Sequence, residues 1–275
     1  MHIASGLDAS EDALHDGAPG AAQEGYGVPG AGHPSGQPFT LPPPDEDDAV
    51  QPRVNLTRVA ARELVATVRT GLWPVARMRP LPPPTPRPTP GLVPVVLVHG
   101  FLGHPDCLRN LSRSLLVAGF PAVHRVSYPS VTSSFPSIID AIRTTVTEVG
   151  GPVDLVGHSL GAVASRAWLK TLDGPEYVRR FVAIGGPHAG TAWWRATPPW
   201  LHDVLRPDGP WVERLSQGPE PVPTTVIRAR YDQQVFPPRR ASIAGQREIV
   251  LDGLGHNGLL WSRRCHEAVV GVLSS

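Results

Sequence analysis

The stretch VDLVGHSLG, residues 153–161, joins an apolar strand to a Gly-x-Ser-x-Gly turn, and a helix-forming run follows it at 162–172. A serine between a buried strand and a helix is typical of a sharp turn that exposes the hydroxyl at the edge of a sheet. The flanking glycines leave room for crowded backbone, and the helix N-terminus favours developing negative charge. The stretch therefore predicts that Ser159 is a catalytic nucleophile.

Strand and helix patterns alternate on both sides of this stretch. Apolar runs predict strands at 93–98, 122–127, 153–156, 178–184, 224–229 and 248–251, and amphipathic runs predict helices at 108–117, 137–149, 162–172 and 259–273. Strands that alternate with helices need right-handed crossovers and form a mainly parallel sheet. The predicted fold class is α/β, with helices on both faces of a mainly parallel sheet in a catalytic domain at 93–275.

A serine hydroxyl needs a general base, and the base needs an orienting acid. When the serine lies on a strand-to-helix turn of a parallel sheet, the chain order is serine, acid, histidine. His256 lies between the last strand and the last helix, whereas His188 follows the serine too early in this order. The acid should follow the penultimate strand, where Asp232 lies. Asp252, shortly before His256, is the alternative.

Two backbone N–H groups are needed to stabilise the oxyanion of such a reaction. One should belong to Leu160, directly after the nucleophile. The other should come from the loop after the first core strand, where Gly100 permits close approach and Phe101 supplies the N–H. The sequence therefore predicts Leu160 and Phe101 as the two donors.

Composition excludes several other classes of protein. The net charge is +1 and only two cysteines occur in 275 residues, which argues against a nucleic-acid partner and a disulfide scaffold. No apolar run is long enough to span a bilayer. The histidines show no metal-ligand spacing, so no metal is predicted. Cys107 and Cys265 are expected to be reduced, because no signal peptide is visible and a cytoplasmic location is expected unless the true start differs.

The first 92 residues differ in composition from the rest. Residues 1–51 are acidic and rich in Gly and Pro, which predicts a disordered tail. Residues 52–79 predict an amphipathic helix, and residues 80–92 a proline-rich linker. The apolar face of that helix either packs on a neighbouring core or lies on an anionic membrane surface. Its predicted apolar face comprises Ala61, Leu64, Val65, Val68 and Leu72, opposite Arg58, Arg62 and Arg69.

Four blocks resemble bacterial lipases of the α/β-hydrolase superfamily, and most of all the small lidless triacylglycerol lipases called lipase class 2. The blocks are VVLVHGF at 95–101, GHSLG at 157–161, GGPHAGT at 185–191 and GHNGLL at 255–260. The resemblance covers residues 93–275 and implies hydrolysis of carboxylic esters of acyl lipids without a cofactor. It supports Ser159, Asp232 and His256 as the triad and Phe101 and Leu160 as the oxyanion donors.

The segment after residue 191 bears on the substrate. Trp193 and Trp194 should border the catalytic edge of the sheet, where they either bind an acyl chain, with contact to a lipid interface, or pack a helix onto the sheet. An acyltransferase or a thioesterase would use the same triad, so both remain alternatives to an ester hydrolase. A binding protein on a relict hydrolase fold is the non-catalytic alternative, against which the intact Ser, Asp and His argue.

Overall fold

A computed structural model describes residues 55–71 and 88–275 of the chain. The predicted tail at 1–51, residues 52–54 and 72–79 of the predicted helix, and residues 80–87 of the predicted linker lie outside the described residues. The predicted N-terminal helix is present as α1, Leu56–Gly71.

The remaining elements follow the predicted alternation closely. The strands are β1 Val95–Val98, β2 Val123–Arg125, β3 Val153–His158, β4 Val178–Ile184, β5 Thr224–Ala229 and β6 Arg247–Leu251. The helices are α2 Arg109–Val117, α3 Phe135–Val149, α4 Leu160–Thr171, α5 His202–Leu205, α6 Pro210–Ser216, α7 Gly258–Trp261 and α8 Arg263–Leu273. Short 3₁₀ turns lie at Pro105–Leu108, Gly174–Glu176, Trp194–Ala196, Pro199–Leu201 and Pro238–Ala241.

The six strands form one sheet in the order β2-β1-β3-β4-β5-β6, and each neighbouring pair is parallel. In β1 the side chains alternate between the two faces. Val96 and Val98 belong to the core shared with α3 and α4, whereas Val95 and Leu97 belong to the core shared with α2 and α8. The predicted α/β fold class, with helices on both faces of a parallel sheet, is confirmed.

The C-terminal helix differs from its prediction. The predicted run 259–273 is interrupted at Ser262, which has extended backbone and accepts a hydrogen bond from Cys265 N at its hydroxyl, 3.4 Å away. A serine in this conformation caps a new helix, so α8 starts afresh after α7. His266 of α8 is buried, and its Nε2 lies 2.9 Å from Leu260 O.

The predicted apolar face of α1 is not the face that packs. Leu64 and Val68 are exposed, whereas the buried residues of this helix are Val59, Glu63 and Ala66. The apolar periodicity predicted the wrong face because the buried face includes the carboxylate of Glu63. This carboxylate accepts hydrogen bonds from backbone N–H groups of Asn257 and Gly258. The packing of α1 therefore depends on polar contacts as well as apolar ones.

Candidate active site

Ser159 occupies the turn that joins β3 to α4. Its φ of 54° lies in the left-handed region, which is uncommon for a residue other than glycine and costs backbone strain. The turn is held by a hydrogen bond of 2.9 Å from Ser159 N to Ile184 O at the end of β4. The strain and the hydrogen bond together place the serine at the N-terminus of α4.

The glycines of the Gly-x-Ser-x-Gly stretch are required by close approaches of the backbone. A Cβ at Gly157 would lie 2.5 Å from the Cα of Ala162, and a Cβ at Gly161 would collide with the carbonyl oxygen of His99. In both cases the obstacle is backbone, which cannot move aside without shifting α4 or β1. The spacing of the two glycines is therefore a packing requirement of this turn.

His256 lies in the loop between β6 and α7, and its Nδ1 donates a hydrogen bond of 2.7 Å to Oδ2 of Asp232. The other oxygen of Asp232 accepts hydrogen bonds from Gln234 N and Val235 N, at 2.9 and 2.8 Å. Both partners of the pair are buried. Asp252 instead forms an ion pair with Arg230. The structure thus brings Asp232, and not the alternative Asp252, to the histidine.

The charges around His256 favour its protonated form. Burial disfavours the imidazolium, but the carboxylates of Asp232 and Glu63 outweigh it, and the pKa of His256 is raised above its ordinary value of 6.5. The ring of His158 lies beside it, with ring centroids 4.9 Å apart. Burial lowers the pKa of His158 well below its ordinary value, so this neighbour stays neutral and adds no competing positive charge.

Ser159, Leu160, Phe101 and His256 all line one cavity of about 530 Å³. The carboxyl edge of the sheet, the loop after β1 and the segment after β4 contribute most of its wall. The other lining residues are Thr67, Thr70, Leu102, Pro187, Thr191, Trp193, Ala196, Thr197, Leu205, Gln233, Gln234, Val235 and Asn257. The predicted nucleophile, base and oxyanion donors therefore share one largely apolar space.

The two tryptophans with predicted substrate contacts are placed differently. Trp193 lines the cavity, is 55% exposed and donates its indole N–H to Gln233 O at 2.9 Å. Trp194 packs its ring edge-on against His202, with centroids 4.9 Å apart, and carries the Arg195 guanidinium over its face at 4.4 Å. Trp193 is thus available to a ligand in the cavity, while Trp194 serves local packing.

The sequence analysis did not assign helix α1 to this site. Thr67 and Thr70 of α1 line the cavity, and the carboxylate of Glu63 accepts hydrogen bonds from the loop that carries His256. One signal was present in the sequence: Glu63 is the single acidic residue within 51–100, a region rich in arginine. A single carboxylate on a helix rich in arginine is a candidate for a specific hydrogen-bonding role.

The described residues contain neither a metal-binding cluster nor a membrane-spanning helix. Among them, no group of three or more His, Cys, Asp or Glu side chains is arranged to hold a metal ion. In 55–71 and 88–275 no helix has the length and apolar character needed to cross a bilayer. Cys107 and Cys265 are buried free thiols.

Comparison with known proteins places this geometry in context. The family model described as the alpha/beta hydrolase family matches residues 95–261. No curated protein sequence matches the chain.

Several solved structures are similar at low sequence identity. The mature form of a Bacillus licheniformis lipase is 15% identical, with a TM-score of 0.55 over 71% of this chain and 96% of that one. A monoacylglycerol lipase of Paleococcus ferrophilus is 20% identical, with a TM-score of 0.53 over 68% of this chain and 95% of that one. Lipase B of Aspergillus fumigatus is 20% identical, with a TM-score of 0.54 over 71% of this chain and 55% of that one. At these identities the likeness concerns the fold.

Proposed function

Because the chain belongs to the alpha/beta hydrolase family, we propose that it is a serine carboxylic-ester hydrolase, a lipase or esterase that works through an acyl-enzyme. The observation that carries the proposal is the buried hydrogen bond of 2.7 Å from His256 Nδ1 to Asp232 Oδ2, made by a histidine that lines the same cavity as Ser159. A histidine oriented by a carboxylate beside a serine on a strained turn is the arrangement that activates a hydroxyl.

In the first half of the reaction, Ser159 attacks the ester carbonyl carbon while His256 accepts the hydroxyl proton at Nε2. Asp232 holds the Nδ1 proton and stabilises the imidazolium that forms. The carbonyl oxygen becomes an oxyanion, which the N–H groups of Phe101 and Leu160 stabilise together with the N-terminus of α4. His256 then returns its proton to the alkoxide, and the alcohol leaves.

In the second half, a water molecule attacks the acyl carbon and gives its proton to His256. A second oxyanion forms in the same place, the bond to Ser159 breaks, and the histidine returns the proton to the serine oxygen. The products are a carboxylic acid and the free enzyme, so the cycle needs no cofactor.

The experiment that tests the proposal compares hydrolysis of 4-nitrophenyl octanoate by the wild type and by Ser159→Ala. Equal rates in the two proteins, or no hydrolysis and no labelling of Ser159 by a fluorophosphonate probe in the wild type, would overturn it.

The character of the cavity supports an acyl substrate. Its wall beyond the reacting groups is formed by side chains such as Leu205, Val235 and Pro187, and a cavity of about 530 Å³ is within the range of small-molecule sites. The similar structures include proteins named as lipases. An apolar wall of this kind favours a substrate with a medium-length alkyl chain over a substrate with a charged acyl group.

Filling the cavity should change chain-length preference. Ala196 is exposed at the cavity wall, so Ala196→Trp adds an indole to the acyl space without disturbing the core. We expect kcat/KM for 4-nitrophenyl decanoate, relative to the butyrate, to fall by about 10-fold. The control is Ala244→Trp at an exposed position outside the cavity lining. An unchanged decanoate-to-butyrate ratio in Ala196→Trp would exclude this cavity as the acyl site.

The mouth of the cavity supports contact with a lipid interface. Leu102 and Trp193 line the cavity and are 67% and 55% exposed, and the Phe236 ring, 48% exposed, lies beside Trp193 with ring centroids 6.2 Å apart. Large apolar side chains grouped at an opening are suited to insertion among lipid chains. The proposed function therefore includes contact of this opening with a lipid interface.

Vesicle binding tests this contact. The double variant Leu102→Ala/Trp193→Ala should partition into phosphatidylcholine vesicles at least about 10-fold more weakly than the wild type, because two apolar side chains no longer insert. Val117→Ala, which changes a 75% exposed residue at the end of α2, should bind like the wild type. Equal binding of the double variant and the wild type in a sedimentation assay would contradict the proposed contact.

A further inference from the structure

Glu63 is a buried carboxylate on a helix whose arginines are exposed. The residue is 7% exposed, whereas its neighbours Arg62 and Leu64 face solvent. A carboxylate in such a position is costly unless hydrogen bonds and charges compensate for the lost hydration. Helix α1 also precedes the part of the chain that the family model matches, which starts at residue 95.

The partners of Glu63 belong to the two loops that carry the proposed base and acid. Its Oε1 accepts hydrogen bonds from Asn257 N and from Gln233 Nε2, both at 2.7 Å, and its Oε2 accepts one from Gly258 N at 2.9 Å. Asn257 and Gly258 directly follow His256 and lead into α7. Gln233 directly follows Asp232, and its side-chain oxygen accepts a hydrogen bond from His256 N at 3.3 Å.

We propose that Glu63 is a positioning residue for His256. Through Glu63, helix α1 contributes to the geometry of the active site. One carboxylate binds both the backbone that follows the base and the side chain that follows the acid. It therefore fixes the distance between the two loops that must hold His256 and Asp232 together. The inference rests on the proposed function, because it assigns His256 the role of base.

Two further hydrogen bonds join α1 to the loop that carries His256 and to α7, which follows it. Asn257 Nδ2 donates to Thr67 Oγ1 at 3.0 Å, and Trp261 Nε1 donates to Thr70 Oγ1 at 3.2 Å. Both threonines also line the cavity. Helix α1 therefore forms part of the cavity wall and also binds the loop that carries His256. A helix that only covered the cavity would not need these hydrogen bonds.

Electrostatics adds a second consequence of this placement. The titratable groups that face His256 are Asp232 after β5, Glu63 on α1 and His158 at the end of β3. The negative charge of Glu63 acts with that of Asp232 to raise the pKa of His256. Loss of the Glu63 charge must then shift the pKa of His256 to lower pH, a change that loop packing alone would not cause.

Glu63→Gln tests the proposal with little change of shape. The amide removes the charge and replaces one acceptor with an N–H group that faces backbone or side-chain donors. We expect kcat/KM for 4-nitrophenyl butyrate to fall by roughly 10-fold, chiefly through kcat with KM near that of the wild type. Since kcat/KM requires neutral His256 in the free enzyme, its acid limb should move to lower pH.

Two further variants complete the experiment. Glu267→Gln removes an exposed carboxylate that pairs with Arg263 on the surface and should match the wild type. Glu63→Asp keeps the charge but shortens the reach, so it should lose part of kcat while its acid limb lies closer to that of the wild type. If Glu63→Gln folds poorly, Glu63→Asp still tests the proposal, because a wild-type kcat in a variant whose carboxylate no longer reaches the loop would overturn the positioning role.

The outcomes are distinguishable. Wild-type kcat/KM with an unmoved acid limb in both Glu63 variants would overturn the positioning role, and so would acid limbs that coincide in Glu63→Asp and Glu63→Gln. A wild-type protein that neither hydrolyses esters nor reacts with a fluorophosphonate would instead overturn the proposed function.

Discussion

Replacing Ser159 with alanine is expected to lower kcat for 4-nitrophenyl octanoate hydrolysis by about 10⁶-fold, to the level of the uncatalysed reaction plus binding effects. In the proposed mechanism the hydroxyl oxygen of Ser159 is the atom that forms the acyl-enzyme, and alanine at this position has no atom that could replace it. With the oxygen removed, His256 and Asp232 have no partner to activate, so their own contribution is lost as well.

The substitution should leave the fold intact, which makes the loss interpretable. Serine and alanine both carry a Cβ, so the strain at φ 54° is nearly the same in both proteins. The midpoint of thermal unfolding should therefore stay close to that of the wild type. Ser216→Ala, at an exposed position of α6, serves as the matched control and should retain full activity. Substantial hydrolysis by Ser159→Ala would show that another residue is the nucleophile.

The sequence predicted best those strands of the sheet whose buried residues lie next to one another along the chain. β4 at Val178–Ile184 and β5 at Thr224–Ala229 have the predicted bounds, and both are interior strands, where burial favours the valine, isoleucine and phenylalanine that they contain. The edge strand β2 is shorter than predicted, Val123–Arg125 instead of 122–127, whereas the other edge strand, β6, is one residue longer than predicted. The predicted membership of the α/β-hydrolase superfamily is confirmed by the family match over residues 95–261.

In the candidate site, too, the residues that a local pattern marks were predicted and a residue that depends on distant contacts was not. The position of Ser159 follows from nine consecutive residues, and the choice of Asp232 and His256 follows from their order after successive strands. Glu63 could not be found by either route, because its role depends on a contact with Asn257, far along the chain, and no local pattern encodes which helix face meets that loop. Long-range polar contacts of this kind become visible only when the elements are packed.

Replacing Asp232 with asparagine is expected to lower kcat by about 10⁴-fold, and the hydrogen bonds around the carboxylate explain why. Its Oδ1 accepts from two backbone N–H groups, those of Gln234 and Val235. An asparagine must keep its carbonyl oxygen toward these donors, so its NH₂ group points at His256 Nδ1. The histidine then has to accept at Nδ1 and carry its proton on Nε2, where it cannot take the proton of Ser159.

Asp252→Asn is the matched control, because Asp252 is the other carboxylate that precedes His256 and its side chain is 49% exposed in an ion pair with Arg230. Exposed pairs contribute little, so this variant should stay within about 2-fold of wild-type kcat. A substitution can change the tautomer of His256 only if the substituted side chain contacts Nδ1. Of the two aspartates, Asp232 makes that contact and Asp252 does not. If Asp252→Asn were the inactive variant and Asp232→Asn active, the 2.7 Å contact would be structural and the orienting acid would have to be reassigned.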